Sequence, residues 1–285
     1  MRISIVGVGL LGGSFALGLK SVEEHHEFTG VDTSEENAFI ATKLGIVEQI
    51  MPFDEAVKSS DLVVLATPVD VIRDMLPKTL DLLPKESMLI DLGSTKSIFS
   101  NAVKSHPKRD QYISCHPMAG TENSGPEAAF ASLLKHKQMI ICEQQASRKV
   151  MLRIIVSLLK KLDMHITYMN SEEHDRHIAY VSHLSHISSF ALGLTVLDKE
   201  KDEKSVFAMA GAGFSSTVRL AKSSPDMWAP IFSQNSANIS VAMEAYINQL
   251  QQFKEIIDAG DEKQSHKLIE KANEIRRVLM GIEKE

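Results

Sequence analysis

Two kinds of hydrophobic pattern divide the chain. Up to about residue 168, short apolar runs rich in β-branched residues alternate with longer segments whose apolar residues recur at helical spacing. This alternation predicts a parallel sheet with helices on both of its faces. Strands are expected at 2–6, 28–31, 62–66, 87–91, 111–114, 138–142 and 164–168, and helices at 10–20, 34–43, 69–76, 95–104 and 147–162.

Strand-like runs end near residue 170, and helical patterns occupy the rest of the chain. Helices are expected at 170–197, 203–210, 215–222, 228–258 and 262–281. Gly260 is suited to close one of these helices, and Asp261 is suited to cap the next. We therefore expect two domains, an α/β domain at 1–169 and an all-helical domain at 170–285.

The helical part also carries an unusual amount of apolar surface. Between Ile239 and Ile247, apolar residues cover much of the circumference of one predicted helix. A helix that is apolar on most sides must be buried on most sides. The pattern therefore predicts a homodimer that forms through the helical domain.

A glycine-rich turn, Gly7-x-Gly9-x-x-Gly12, follows the first predicted strand and opens the first predicted helix. Gly7 allows a tight turn, Gly9 lets the backbone approach a pyrophosphate, and Gly12 permits close packing of helix on strand. The free N–H groups at the start of the helix would hold the anion. The spacing predicts a Rossmann-type, doubly wound parallel sheet that binds a dinucleotide.

An acidic residue lies where the ribose of such a dinucleotide is expected. Asp32 comes twenty residues after Gly12, at the end of the second predicted strand. A carboxylate there accepts hydrogen bonds from the ribose hydroxyls and repels a 2′-phosphate. No Arg or Lys occurs between Asp32 and Lys43, so we expect NAD rather than NADP. The alternative is an ordinary glycine turn with an exposed aspartate.

Ligands of doubly wound sheets bind beyond the carboxyl ends of the strands. Leu11, in the glycine turn, and Thr67 and Pro68, after the third predicted strand, are therefore also assigned to the cofactor.

Composition narrows the class of protein. The chain has 285 residues, of which 44% are hydrophobic and 24% charged, as in ordinary soluble proteins. A net charge of -6 gives no support to nucleic-acid binding. No apolar run reaches the roughly 18 residues of a membrane span, and the first strand begins too early to leave room for a signal peptide. With two cysteines only, we expect a cytoplasmic protein without disulfides.

The segment from Ser114 to Gly125 is the second candidate for chemistry. It combines a histidine, an acid, several hydroxyl groups and two glycines directly after a predicted strand. His116 would lie near the nicotinamide of a bound NAD, and a histidine with a pKa of about 6.5 can take a proton from a hydroxyl group. The alternative is a loop histidine that only bonds the backbone.

The segment 172–190 contains four histidines in two His-x-x-His pairs. At about 100° per residue the two pairs point in different directions, so we expect no metal site. One polar face of this helix is shared by Asp175, Ser182, His186 and Ser189. Polar groups on an apolar helix need hydrogen-bonding partners, which would be the substrate or a neighbouring helix.

A glycine-rich bend at 211–213 precedes Arg219. A guanidinium binds a carboxylate through two parallel hydrogen bonds. An ordinary surface ion pair is the alternative for this arginine.

These stretches together resemble one known family, the prephenate/arogenate dehydrogenases of tyrosine biosynthesis. The matches extend from Gly7 to about Asn235. They comprise Gly7–Gly13, Thr67-Pro68-Val69, Asp91-x-Gly93-Ser94-x-Lys96, the block from His116 to Gly125, His174-Asp175, Ser182-His183-Leu184-x-His186, Gly213-Phe214 to Arg219, and Pro225-x-x-Trp228.

The resemblance implies NAD-dependent oxidative decarboxylation of prephenate to 4-hydroxyphenylpyruvate. It implies that His116 is the catalytic histidine and that Ser94 supports it. The residues that it places around the substrate are Thr121, Glu122, Ser182, His186 and Arg219. Three alternatives stay open: arogenate as the substrate, a hydroxyacid- or imine-specific dehydrogenase of similar build, and a non-catalytic regulator that senses NAD.

Overall fold

In the computed structural model, residues 1–23, 25–203 and 205–282 are described. One sheet of eight strands has the order β3-β2-β1-β4-β5-β6-β7-β8. Its strands are β1 (Arg2–Val6), β2 (Glu27–Val31), β3 (Gln49–Ile50), β4 (Leu62–Leu65), β5 (Met88–Asp91), β6 (Tyr112–Pro117), β7 (Gln138–Cys142) and β8 (His165–Met169). The seven predicted strands are confirmed, whereas the two-residue β3 is too short to show a pattern.

The sheet is doubly wound but not parallel throughout. Strands β1 to β6 all run in one direction, β7 is antiparallel to β6, and β8 is parallel to β7. A parallel neighbour requires a long crossover, usually a helix. The described chain between β6 and β7 contains only a short 3₁₀ turn, Pro126–Ala128, so the prediction of a wholly parallel sheet was wrong at this one pair.

Helices cover both faces of the sheet and make up the C-terminal part of the chain. They are α1 (Leu10–Val22), α2 (Glu35–Lys43), α3 (Phe53–Ser59), α4 (Val69–Leu82), α5 (Ser97–Ala102), α6 (Lys149–Lys161), α7 (Ser171–Ile178), α8 (Leu184–Asp202), α9 (Ala212–Val218), α10 (Pro225–Gln234), α11 (Ser236–Asp258), α12 (Glu262–Ala272) and α13 (Arg276–Ile282). The helix predicted at 170–197 is interrupted, because a π-helical turn, Ala179–His183, separates α7 from α8.

The hydrophobic core lies on both faces of the sheet. All four residues of β4 are buried, and successive side chains of a strand point to opposite faces. Leu62 and Val64 accordingly pack into one cluster with Phe15 of α1. Val63 and Leu65 belong to a second cluster on the other face. Burial on both sides explains why this strand reads as a continuous apolar run.

The chain forms two compact units, Met1–Ser236 and Ala237–Glu285. The division at 169/170 therefore remains a prediction. Within the second unit, Gly260 has a positive φ of 61° at the end of α11, and the Asp261 side chain accepts a hydrogen bond from the backbone N–H of Gln264. These two local predictions are confirmed. None of the described helices is both long and apolar enough to cross a membrane.

Candidate active site

The glycine turn lies at the point where the strand order reverses, between β1 and β4. Gly7 has a φ of +92°, and a Cβ there would lie 2.7 Å from the carbonyl oxygen of Ala66. A Cβ on Gly12 would lie 2.1 Å from the carbonyl oxygen of Gly7. At Gly9, by contrast, no described atom comes within 4 Å of that position. Two glycines are thus required by packing, and the third leaves open space where a ligand can approach the backbone.

Asp32 directly follows β2 at the same edge of the sheet. Its Oδ2 accepts a hydrogen bond from the N–H of Val8 at 3.1 Å, and its Oδ1 accepts one from the N–H of Ser34 at 2.9 Å. These bonds hold the carboxylate beside the glycine turn. The position suits a group that accepts bonds from a ribose.

The other predicted cofactor residues lie along the same edge. Leu11 is in the first turn of α1, which has no side-chain cap at Gly9, so its first N–H groups are free for an anion. Pro68 precedes α4. The Thr67 hydroxyl is buried and has no hydrogen-bond partner among the described residues. An open glycine, an uncapped helix and an orphaned hydroxyl group fit a dinucleotide.

His116 is part of β6 rather than of the loop after it, because the strand continues to Pro117. The side chain is buried, and its Nδ1 lies 2.8 Å from Nε2 of His174. Burial lowers the pKa of His116 well below its usual value, and the positive charge of Lys96 lowers it further. At neutral pH the ring is therefore uncharged and able to accept a proton.

A buried charged network holds the end of β6 against β5. Lys96 Nζ donates hydrogen bonds to Asp91 Oδ2 and, at 2.6 Å, to the carbonyl oxygen of Cys115. The Tyr112 hydroxyl donates to Asp91 Oδ1 at 2.6 Å. Lys96 and Asp91 are completely buried, so each charge depends on the other. This network positions the backbone immediately before His116.

His174 and Asp175, at the middle of α7, were not predicted to be catalytic or binding residues, although Asp175 was placed on the polar face of this helix. His174 Nδ1 lies 2.8 Å from Asp175 Oδ1, and both side chains are buried. Burial alone would raise the pKa of Asp175, but its hydrogen bonds with His174 and Ser97 lower it overall. The signal in the sequence was an adjacent His–Asp pair on a helix that follows the last strand.

Ser94 follows β5 and Thr121 follows β6, and within the described ranges neither hydroxyl group is hydrogen-bonded to His116. Ser94 is half-buried after β5, and its hydroxyl has no hydrogen-bond partner within the described ranges. The Thr121 hydroxyl accepts a bond from the N–H of Asn123 at 3.2 Å. The supporting role of Ser94 stays a prediction.

Ser182 and His186 are brought together by one turn of helix. His186 Nδ1 donates to the backbone carbonyl of Ser182 at 3.0 Å, and its ring stacks on that of Trp228 with centroids 3.6 Å apart. On the same predicted face, the Ser189 hydroxyl donates to the carbonyl oxygen of Thr217, close to the end of α9. For Ser189, therefore, the partner is a neighbouring helix.

Arg219 pairs with Glu122. Its Nη1 lies 3.1 Å from Glu122 Oε2, and the two side chains are 53% and 27% exposed. Burial lowers the pKa of His186, and the positive charge of Arg219 lowers it further. The structure thus pairs Arg219 with Glu122, and the surface ion pair foreseen as an alternative for Arg219 is present.

No three His, Cys, Asp or Glu side chains of the described residues cluster in a way that could hold a metal ion. The expectation that the protein needs no metal remains a prediction.

The buried histidines make a testable contribution to stability. Burial is the largest cause of the lowered pKa values of His116, His174 and His183, and for His183 the pKa falls to about 4. Below pH 6.5 the unfolded chain binds protons that the folded protein does not. We therefore expect the free energy of unfolding to decrease as the pH is lowered below 6.5. The decrease should be up to about 1.4 kcal/mol per pH unit for each histidine. Urea unfolding followed by the fluorescence of Trp228 at pH 7.5 and 5.5 measures the change, and equal values would contradict it.

Comparisons with known proteins bear on the whole chain. The family model described as the nucleotide-binding domain of prephenate dehydrogenase matches residues 15–168. The one described as its dimerization domain matches residues 170–271.

Individual relatives span the same residues. Prephenate dehydrogenase of Bacillus subtilis is 31% identical over 277 residues, which cover 96% of this chain and 75% of that protein. Cyclohexadienyl dehydrogenase of Zymomonas mobilis is 26% identical and covers 91% of this chain, with 89% of its own length matched.

A solved structure agrees in fold over nearly the full length. Prephenate dehydrogenase from A. aeolicus, in complex with hydroxyphenyl propionate and NAD+, superposes with a TM-score of 0.88. It is 30% identical, and the match covers 99% of this chain and 98% of that one. Given the two family models and a relative at 31% identity, the chain belongs to the prephenate dehydrogenase family.

Proposed function

We propose that this protein catalyses the NAD-dependent oxidative decarboxylation of prephenate to 4-hydroxyphenylpyruvate in tyrosine biosynthesis. The observation that carries the proposal is the uncharged, buried imidazole of His116, which lies at the carboxyl end of β6, at the same edge of the sheet as the glycine turn. Oxidation of a ring carbon that bears a hydroxyl group needs a base for the hydroxyl proton. His116 is the described side chain best placed to serve.

Prephenate carries a ring hydroxyl and, para to it, a ring carboxylate. When bound, NAD would accept the hydride from the carbon that bears the hydroxyl. His116 takes the hydroxyl proton. The C–C bond to the carboxylate then breaks, carbon dioxide leaves, and the bonding electrons complete the aromatic ring. Because an aromatic ring forms and a gas is lost, the reaction is effectively irreversible.

The cofactor would be held by residues of the glycine turn and by those that face it. Gly7, Gly9, Leu11 and Gly12 would hold the pyrophosphate at the start of α1. Thr67 and Pro68 follow β4, on the other side of the point where the strand order reverses, and would contact the same dinucleotide. Asp32 would accept hydrogen bonds from its ribose.

NAD should bind much more tightly than NADP, because the Asp32 carboxylate would repel a 2′-phosphate. Asp32→Ala is expected to narrow the preference by strengthening the binding of NADP. Fluorescence titration of the unmodified protein and the variant with NADH and NADPH measures both affinities. Equal affinity of the unmodified protein for the two cofactors would refute this assignment.

The substrate would be anchored by side chains from the helical segments and from the loop after β6. Arg219 and His186 supply groups that bind a carboxylate or a carbonyl. Ser182, Thr121 and Glu122 would line the same pocket. Ser94, with a free hydroxyl, would act beside His116.

Prephenate and arogenate differ only in a keto group against an amino group on the side chain. NADH formation, followed at 340 nm with prephenate, then arogenate, then simple hydroxyacids, distinguishes the candidates. We expect turnover to be fastest with prephenate. A faster rate with arogenate would mean that arogenate is the substrate. NAD binding without turnover of prephenate, arogenate or the hydroxyacids would indicate a regulator.

We further propose that the protein is a cytoplasmic homodimer. Exposed apolar side chains on α8 and α11, including Leu194, Leu197, Ile247 and Leu250, give each helix an apolar surface suited to a partner. Cys115 and Cys142 are buried free thiols, which suits a reducing compartment. Sedimentation equilibrium should give twice the 31.5 kDa chain mass; a monomer at micromolar concentration would contradict the dimer.

A further inference from the structure

We propose that His174 and Asp175 are positioning residues that determine which ring nitrogen of His116 accepts the proton. The inference rests on the proposed function, in which His116 is the base. It is carried by a continuous chain of hydrogen bonds, from Asp175 through His174 to His116.

This chain of hydrogen bonds begins at the carboxylate of Asp175, which can only accept hydrogen bonds. Asp175 Oδ1 receives the backbone N–H of Lys96, and Oδ2 receives that of Ser97, both at 2.8 Å. These N–H groups open α5, so the carboxylate bridges α7 to the start of a second helix. Two backbone donors leave Asp175 no freedom to rotate and favour its ionised form. Its Oδ1 therefore faces His174 as an acceptor.

The orientation of Asp175 determines the tautomers of both rings. A neutral imidazole has one N–H donor and one acceptor nitrogen. His174 Nδ1 lies 2.8 Å from Asp175 Oδ1, so Nδ1 carries the hydrogen and Nε2 accepts. His116 Nδ1, 2.8 Å from that Nε2, must then carry its own hydrogen. The acceptor left on His116 is Nε2.

Burial makes this arrangement stable. His174 is 1% exposed and Asp175 3% exposed, so water does not compete for their hydrogen bonds. Burial also lowers the pKa values of His116 and His174, and both rings are consequently neutral at pH 7. The two rings meet edge to face, with centroids 5.0 Å apart. With one ring nitrogen engaged, His116 presents the other in a constant direction.

Replacing one carboxylate oxygen of Asp175 with an NH₂ group should reverse the direction of the hydrogen bonds between Asp175, His174 and His116. In Asp175→Asn, the side-chain NH₂ opposes one backbone N–H in either orientation: that of Ser97 from the position of Oδ2, or that of Lys96 from the position of Oδ1. In the second orientation the NH₂ also faces His174, so His174 Nδ1 must accept, its Nε2 becomes the donor, and Nδ1 of His116 becomes the acceptor. Nε2 of His116 then carries a hydrogen and no longer accepts one. The same logic, a wrong tautomer with intact geometry, applies when the aspartate of a Ser-His-Asp triad is replaced by Asn.

The experiment reads the tautomer and the rate separately. Nitrogen NMR of protein labelled with ¹⁵N-histidine distinguishes a ring nitrogen that carries a hydrogen from one that does not. His116 signals are assigned by their absence in His116→Asn. In the unmodified protein we expect Nδ1 protonated and Nε2 bare, and in Asp175→Asn a population with the reverse. We expect kcat to fall at least about tenfold, with KM for prephenate little changed.

The matched control is Glu172→Gln, which makes the same carboxylate-to-amide change at an exposed position of α7. It should alter neither the His116 signals nor kcat. A purely structural role for Asp175 predicts lower stability with unchanged tautomers, and that result would overturn the proposal. A second variant, His174→Phe, removes the relay without offering a donor, and should leave His116 in a mixture of tautomers. If His116→Asn retains full activity while the tautomers shift as expected, the proposed function fails and the relay stands.

Discussion

Replacing His116 with Asn is expected to lower kcat by about 10²–10⁴-fold, the usual contribution of a general base. The amide has no group that takes a proton near neutral pH, so the hydroxyl proton must leave to water. Asn still offers an NH₂ to the Nε2 of His174, which lies 2.8 Å from His116 Nδ1 in the unmodified protein. The buried hydrogen bond is thus replaced rather than lost, and the fold should persist.

The affinity for NADH separates catalysis from structure in this variant, because the glycine turn lies on a different strand. We expect that affinity to change less than about threefold, well under the tenfold that 1.4 kcal/mol represents. The control is His177→Asn, the same exchange at an exposed position of α7, which should keep full activity. Turnover of His116→Asn close to that of the control would mean that this histidine is structural.

Much of the fold could be predicted because its elements carry strong local signals. The strand Leu62–Leu65 is entirely apolar, and it is flanked by segments of helical periodicity. The predictions that were wrong concern how successive elements are connected. The antiparallel placement of β7 follows from a long segment, 118–137, which contains no α-helix to carry the chain across the sheet. The π-helical turn Ala179–His183 could not be predicted, because its residues show no feature that distinguishes it from an α-helix.

The candidate site was predictable to the extent that its residues follow strands. Gly7, Asp32 and Thr67 lie at one edge, as parallel strand ends must. The partner of His116 was not predictable in the same way. His174 reaches it from α7, which is 58 residues further along the chain, and no periodicity relates a helix to a strand over that distance. Contacts of this kind are set by tertiary packing.

Arg219→Ala should act mainly on substrate binding, raising KM for prephenate about 10- to 100-fold. Among the residues that the structure describes, Glu122 is the one partner of the guanidinium, bonded to Nη1 at 3.1 Å, and a guanidinium has five N–H donors. The remaining donors are free to hold a substrate carboxylate through two parallel bonds. A contact made before and during the reaction contributes equally to both states, so kcat should change little.

The exposure of Arg219 sets the size of this effect. An exposed ion pair contributes at most about 1 kcal/mol, whereas a desolvated charged contact that loses one partner costs about 2–5 kcal/mol. Without substrate, the Arg219 side chain is 53% exposed, and bound substrate would exclude further water from it. We therefore expect a cost between that of an exposed ion pair and that of a fully desolvated contact. Arg219→Lys should recover only part of the affinity, because an ammonium group cannot reproduce the planar pair of bonds. The control, Arg73→Ala, removes another exposed arginine that pairs with a carboxylate, Asp74, and should leave KM unchanged. If Arg219→Ala behaves as Arg73→Ala does, its pairing with Glu122 is an ordinary surface contact and the substrate carboxylate is held elsewhere.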